Sequence, residues 1–356
     1  MTTPRPLYSP ASRHNNSFNA IRLFLAILVL FSHSYPLIRG TNATEPLTLL
    51  THGQLSGGQV AVDLFFVISG LLITMSWFGS ADMADYLRKR VLRIYPGFVV
   101  AMLVSLGITA LNASSAIGYL KALKVREFFE SLLTLDNKSL DNPLTFSGNP
   151  YPHVANGSLW TIQGEFKCYL LLVVVGLFGL LRFRLACLTA FLAAWAMFAN
   201  DVRHGEYEHS GWRFFTFFAA GAIFYLFRDK IPSSRSMFLC AVAVLVGAAI
   251  FPPWLNVLFP LAGSYAMFFI ALNTKGAINR LGTKNDLSYG IYLYAFLIQQ
   301  SLIHLITIRS PLMLSLAALP ITFTLAMASW HLVEKPFLGM KKLAVKNEDP
   351  TAHKST

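Results

Sequence analysis

The chain alternates long apolar runs with short polar joints, and the runs have the length a bilayer demands. About 20 consecutive apolar residues cross a hydrocarbon core. Runs of this kind are predicted over 20–38, 60–78, 93–111, 165–181, 185–199, 212–227, 237–251, 254–272, 287–308 and 312–333. Lipid offers no partner to backbone N–H and C=O groups, so such runs fold as helices. The shortest, 185–199 and 237–251, predict tilted, fused or partly interfacial elements. The segment 112–164 is too polar to span. Its pattern predicts an interfacial helix around 117–135, followed by a turn-rich stretch with Asn142-Pro143 and Gly148-Asn149-Pro150-Tyr151-Pro152. The expected architecture is an all-α integral membrane protein of about ten transmembrane helices with one long exoplasmic loop. It divides into a tail 1–19, a transmembrane domain 20–337 and a tail 338–356. No inverted repeat of the transporter kind is visible.

Composition agrees with this pattern. Only 13% of the 356 residues are charged and 54% are apolar, whereas a soluble domain carries about 25% charge. A polar exterior cannot be built from so little. The 29 Lys and Arg against 17 Asp and Glu point to positively charged cytoplasmic loops rather than to nucleic acid. An even number of spans puts both termini on one side. Most of the basic residues fall there, including Arg88, Lys89, Arg90, Arg93, Arg182, Arg184, Arg228, Lys230 and Arg235. Both termini are therefore expected in the cytoplasm. Cys168, Cys187 and Cys240 lie inside apolar runs without metal-ligand spacing and read as packing residues, and no metal site is expected. The first run carries Arg22 and His33 and no small-residue cleavage site, so it reads as a retained helix.

An ionisable group near mid-bilayer costs about 2.5–3.5 kcal/mol on insertion scales, so each one in a span is a candidate for function. Arg22 and His33 share one face of the first span: eleven residues at about 100° return to nearly the same direction while rising about 16 Å. A snorkelling arginine and a packing histidine are the plainer alternatives. Arg90 and Arg93 are i,i+3 neighbours in Arg88-Lys89-Arg90-Val91-Leu92-Arg93-Ile94-Tyr95-Pro96, a run suited to phosphates near a helix start, or to setting topology alone. Asp63 is placed in the first turn of the second span, where it either caps the helix or faces His33. Its neighbours Ser69-Gly70 permit close helix approach. Ser158-Leu159-Trp160 and Glu165 mark the return of the long loop to the membrane, with Trp160 at the interface and Glu165 in a first turn. Gln299, Gln300, His304, His331 and Glu334 read as interhelical or interfacial groups. A neutral imidazole beside a carboxylate can take a hydroxyl proton. A cationic inner mouth with a histidine and carboxylates toward the outer face therefore fits group transfer across a bilayer.

These motifs, taken in order, resemble the acyltransferase family 3 of membrane-bound acyltransferases, typified by bacterial polysaccharide O-acetyltransferases. The match runs from Arg22 and His33 through Val62-Asp63-Leu64-Phe65-Phe66-Val67-Ile68-Ser69-Gly70-Leu71-Leu72-Ile73, Arg90-x2-Arg93-Ile94-Tyr95-Pro96 and Ser158-Leu159-Trp160 with Glu165. It closes with Leu287-Ser288-Tyr289-Gly290-Ile291-Tyr292-Leu293-Tyr294 and Glu334-Lys335-Pro336-Phe337. The resemblance implies a multi-pass protein of the bacterial cytoplasmic (inner) membrane. It implies acyl-CoA, usually acetyl-CoA, as the donor on the cytoplasmic side. The acceptor is a hydroxyl of an exoplasmic carbohydrate or lipid-linked glycan. By position, His33 and Arg22 are the expected catalytic pair, Arg90 and Arg93 the acyl-CoA-binding motif, and Ser158 and Trp160 the acceptor side. Asp63 or Glu165 is the candidate to orient His33. Where many relatives continue with a histidine and a nearby proline, this chain has Ala295-Phe296-Leu297, so no second imidazole is expected there. The chain is also expected to transfer directly or to hand its acyl group to a partner, since no appended esterase-like domain follows the tenth span. A glycan or lipid-intermediate transporter or flippase is the rival from another class, and a non-catalytic scaffold a third.

Overall fold

A computed structural model describes residues 6–8 and 16–340. Much of the expected tails 1–19 and 338–356, with Arg5, Arg13 and the cations from Lys341 onward, lies outside the described residues. Among the described residues the only extended pairing is one isolated bridge between Pro6 and Pro232. The helices are α1 (Phe18–Arg39), α2 (Pro46–Leu50), α3 (Gly57–Phe78), α4 (Met83–Asn112), α5 (Ala116–Ala122), α6 (Val125–Thr134), α7 (Trp160–Leu177), α8 (Arg184–Arg203), α9 (Arg213–Leu226), α10 (Arg235–Ile250), α11 (Trp254–Leu258), α12 (Ser264–Asn273), α13 (Ser288–Leu305) and α14 (Pro311–Ser329). Every predicted span lies on one of them.

Seven helical runs are long and apolar enough to cross a membrane. They are α1, α3, α4, α7, α8, the run Trp254–Asn273 that joins α11 to α12 through a π-turn, and the run Pro311–Met340 that extends α14 through another. α9 and α10 are shorter, with 14 and 16 residues. α13 is interrupted by Gln299, Gln300 and His304 and is not among the seven. Large apolar side chains such as Leu111, Phe178 and Leu185 point outward, as helices solvated by lipid require.

Several boundaries differ from expectation, always because a polar first turn hides a helix start. α3 begins at Gly57, where Ser56 and Gln59 form a reciprocal capping box. The capping role open to Asp63 therefore belongs to Ser56, and Asp63 sits in the second turn. α7 begins at Trp160, which moves Glu165 into the second turn as well. α4 begins at Met83, capped by Asp82, so Arg90 and Arg93 lie well inside it. The field of a helix end fades within one turn, so their charge is not reinforced by it as the sequence suggested. The expected helix over 117–135 is two short ones, α5 and α6. α8 is a full 20 residues and not the short element predicted.

Close packing between α3 and α9 sets the frame. A Cβ on Gly70 would lie 1.9 Å from the Phe218 carbonyl oxygen, and one on Gly221 1.9 Å from that of Val67. The two backbones touch through reciprocal glycines, the small-residue contact by which helices associate where lipid supplies no hydrophobic drive. α1 is fixed to α13 and α14 by polar groups: Gln299 donates to the Leu30 carbonyl at 2.8 Å and to Ser34 Oγ at 2.6 Å, and Ser34 and Ser315 hydroxyls lie 2.7 Å apart. The long loop is tied down onto α13. Asn156 donates to the Leu293 carbonyl at 2.8 Å, and Gln300 donates to the carbonyls of Tyr151 and Val154. Its backbone groups are thus satisfied without a helix of their own, and Tyr151 and Trp160 are held over the end of α1 that carries His33.

Candidate active site

Two cavities lie along the axis enclosed by α1, α3, α7 and α13. The first, of about 130 Å³, opens between the early turns of α1 and α4 and is walled by Arg22, Arg90, Arg93, Ser69, Glu165, Tyr169, Tyr289 and apolar side chains of α3. Arg22 and Arg93 converge on one carboxylate: Asp286 Oδ2 accepts from Arg22 at 2.8 Å and from Arg93 at 2.6 Å. Its other oxygen accepts from the Ser288 hydroxyl at 2.6 Å. Burial alone would raise the Asp286 carboxyl, but the two guanidinium groups hold it well below the usual carboxylate range. Arg93 also lies 5.6 Å from the centre of the Tyr289 ring.

Arg90 is different. Arg88 and Lys89 both pair with Asp85, whereas Arg90 donates only to Ser76 Oγ at 3.3 Å, sits 5.8 Å from the Tyr86 ring centre and keeps a buried Nε without a partner. A cation with no carboxylate, beside two that share one, leaves this cavity with positive charge to spare. Glu165 does not neutralise it by an ion pair; it accepts hydrogen bonds from Ser69 and Tyr169.

The second cavity, of about 480 Å³, lies at the opposite ends of the same helices. Ser32, His33, Tyr151, Gly157, Trp160, Glu208, His209, Arg213 and Phe296 are on its wall. Phe296 meets the His33 ring edge-on with centroids 5.3 Å apart. His33 Nδ1 is buried without a partner. No described residue hydrogen-bonds to either ring nitrogen, so Nε2 is the nitrogen left for a visitor in the cavity. Trp160 packs at 5.3 Å on Phe214, and Tyr151 at 6.3 Å on Phe296. Gln59 donates to Glu208 at 2.6 Å across the wall.

The expected site residues are thus only partly brought together. Arg22, Arg90 and Arg93 share the first cavity, and His33 and Trp160 the second. Glu165 lies in the first cavity, away from His33, because it is five residues inward of Trp160, or about 7.5 Å of helix. Asp63 is wholly buried and taken: Oδ1 accepts from Arg213 Nε at 2.9 Å, and Oδ2 from Tyr207. Neither carboxylate hydrogen-bonds to His33, so packing against Phe296 rather than a carboxylate holds the ring. Ser158 is buried with an unpartnered hydroxyl and lines neither cavity. The sequence gave no signal for Asp286, one residue ahead of the Leu287-Ser288 motif, or for Arg213, which reads as an ordinary loop cation. Among the described residues, no group of three or more His, Cys, Asp or Glu is placed to hold a metal ion.

Comparison with known proteins decides the class. The profile of acyltransferase family 3, described as an acyltransferase domain, matches residues 15–331. The chain belongs to this family. This acyltransferase is 28% identical over 343 residues to an O-acetyl transferase of Shigella phage Sf6, covering 91% of this chain and 96% of that protein. It is 26% identical over 372 residues to nodulation protein 10 of Rhizobium leguminosarum bv. viciae, covering 94% and 96%. Over 185 residues it is 27% identical to the O-acetyltransferase OatA of Staphylococcus aureus, covering 50% of this chain and 27% of OatA. No solved structure matches the acyltransferase. The chain is an enzyme of the O-acetyltransferase type, built on membrane helices.

Proposed function

We propose that this acyltransferase moves an acetyl group from cytoplasmic acetyl-CoA to a hydroxyl of a glycan, free or lipid-linked, on the outer side of the bacterial cytoplasmic membrane. The observation that carries the reading is the pair of cavities at opposite ends of one helix axis, one lined by three guanidinium groups, the other by a histidine with unpaired nitrogens. Lys and Arg concentrate at the end of the first cavity, which makes it the cytoplasmic one and puts both termini and the donor there. Arg90 and Arg93 bind phosphates of the donor, which guanidinium groups do well. Arg22, held against Asp286, adds to the field. The cavity has room for the thioester end of the donor and not for the whole coenzyme, so the nucleotide stays at the mouth. Outside, Tyr151 and Trp160 offer aromatic faces to a sugar.

In the reaction the acceptor oxygen attacks the thioester carbonyl carbon while His33 Nε2 takes the hydroxyl proton. The C–S bond breaks as the C–O bond is completed, and the proton goes to the departing thiolate, giving an acetyl ester and CoA. Asp63 acts through Arg213 and Glu165 through the inner wall, neither by touching His33. Transport without chemistry, the rival on sequence grounds, leaves the unpaired imidazole and the arginine cluster without a task.

The Arg90→Ala, Arg93→Ala double variant tests the donor assignment. A hydrogen bond to a charged group is worth about 1.5–3 kcal/mol, so acetyl-CoA affinity is expected to fall by about tenfold or more, with the protein still in the membrane. Calorimetry on purified protein reads it; unchanged affinity would assign the cluster to topology alone.

A further inference from the structure

The two cavities share three wall residues: Val62 of α3, Thr161 of α7 and Tyr292 of α13. The Thr161 and Tyr292 hydroxyls are hydrogen-bonded at 2.5 Å. Together the three form a partition one side chain thick. The sequence is arranged around it. On α13, Tyr289 meets Arg93 on one side, Tyr292 is in the partition, and Phe296 meets His33 on the other. These positions are three and four residues apart and share a face. On α7, Trp160 faces outward, Thr161 is in the partition and Glu165 faces inward. On α1, Ala26 and Val29 are buried between Arg22 and His33 and leave no second route along that helix.

We propose that Val62, Thr161 and Tyr292 are the acyl passage of the enzyme, and that their packing restricts the group transferred to a short acyl chain. This rests on the reading that the inner cavity takes acyl-CoA and the outer one the alcohol. The thioester carbonyl arrives at the partition from one side and the hydroxyl, activated by His33, from the other. Opening needs only the Thr161–Tyr292 hydrogen bond to part. The walls behind cannot retreat far. Phe65 braces the Tyr292 ring edge-on at 6.0 Å. α13 is pressed on α14, where a Cβ on Gly290 would lie 2.9 Å from that of Ala326. α3 is locked to α9 by Asp63–Arg213 and by Gly70 and Gly221, and a Cβ on Gly164 of α7 would come within 2.7 Å of the Phe214 ring. A gap made by two hydroxyls separating passes an acetyl group and stops a longer chain.

The test compares acetyl-CoA with butyryl-CoA as donor, using labelled acyl groups. Val62→Ala and Thr161→Ser widen the partition, the second while keeping the hydroxyl. One methylene in a packed pocket is worth about tenfold or more in discrimination, so either variant is expected to raise the butyryl-to-acetyl transfer ratio by about tenfold. Val62→Leu narrows the passage and is expected to lower acetyl transfer by at least about tenfold, with CoA affinity kept because the arginine cluster is untouched. A wild-type ratio in both widened variants, or full acetyl transfer by Val62→Leu, would overturn the assignment. If the unmodified enzyme makes no product from acetyl-CoA, the donor reading falls and the passage with it. If it makes product and the ratios do not move, only the passage falls.

Discussion

Replacing His33 with Ala is expected to lower acetyl transfer by about 10²–10⁴, the usual contribution of a positioned general base, while the protein stays folded in the membrane. The expectation of intact folding follows from the same geometry as the expectation of lost activity. Neither ring nitrogen hydrogen-bonds to a described residue, so removal breaks no polar contact. The loss to packing is one edge-on contact with Phe296. Acetylated acceptor and the amount of protein in the membrane, measured on the same preparation, separate the two effects. Near-normal product from His33→Ala would mean that another group takes the proton.

Asp63→Ala is expected to fail for the opposite reason. Asp63 and Arg213 side chains are 0% and 4% exposed, so the substitution leaves a buried guanidinium without its counter-charge, and Tyr207 without an acceptor. Breaking one half of such a pair costs about 3–5 kcal/mol. Removing both halves is much milder, since well-packed apolar replacements of buried pairs are often neutral. The single variant should therefore melt at a clearly lower temperature, and Asp63→Leu with Arg213→Met should recover most of the loss. Thermal unfolding in detergent, followed by tryptophan fluorescence, reads both. If Asp63→Ala melts like the unmodified protein, Asp63 does not hold α3 to α9, and a direct role beside His33 regains its claim.

The contrast between these residues marks what a sequence discloses. All ten apolar runs are helices because hydrophobic length is a local property. Arg22 and His33 are legible as one face because both lie on one helix, where angular spacing is fixed. The pairing of charges was not legible. Arg22 meets Asp286 from 264 residues away, and Arg213 meets Asp63 from 150; no periodicity connects such partners. Glu165 was assigned to the outer side because its run seemed to start there. Five residues of polar helix ahead of it, from Trp160, carry it past Thr161 into the inner cavity. The partition itself is built from a valine, a threonine and a tyrosine, residue types that in a membrane helix read as packing until their neighbours are known.

The central claim is that acetyl passes between two cavities that open on opposite sides of one membrane. Purified enzyme in sealed liposomes, with labelled acetyl-CoA supplied only on the side of the arginine cluster and a glycan acceptor only on the other, tests it directly. The account predicts labelled, acetylated glycan in the acceptor compartment and none when donor and acceptor sides are exchanged for that orientation. Label appearing only when donor and acceptor share a compartment would contradict it.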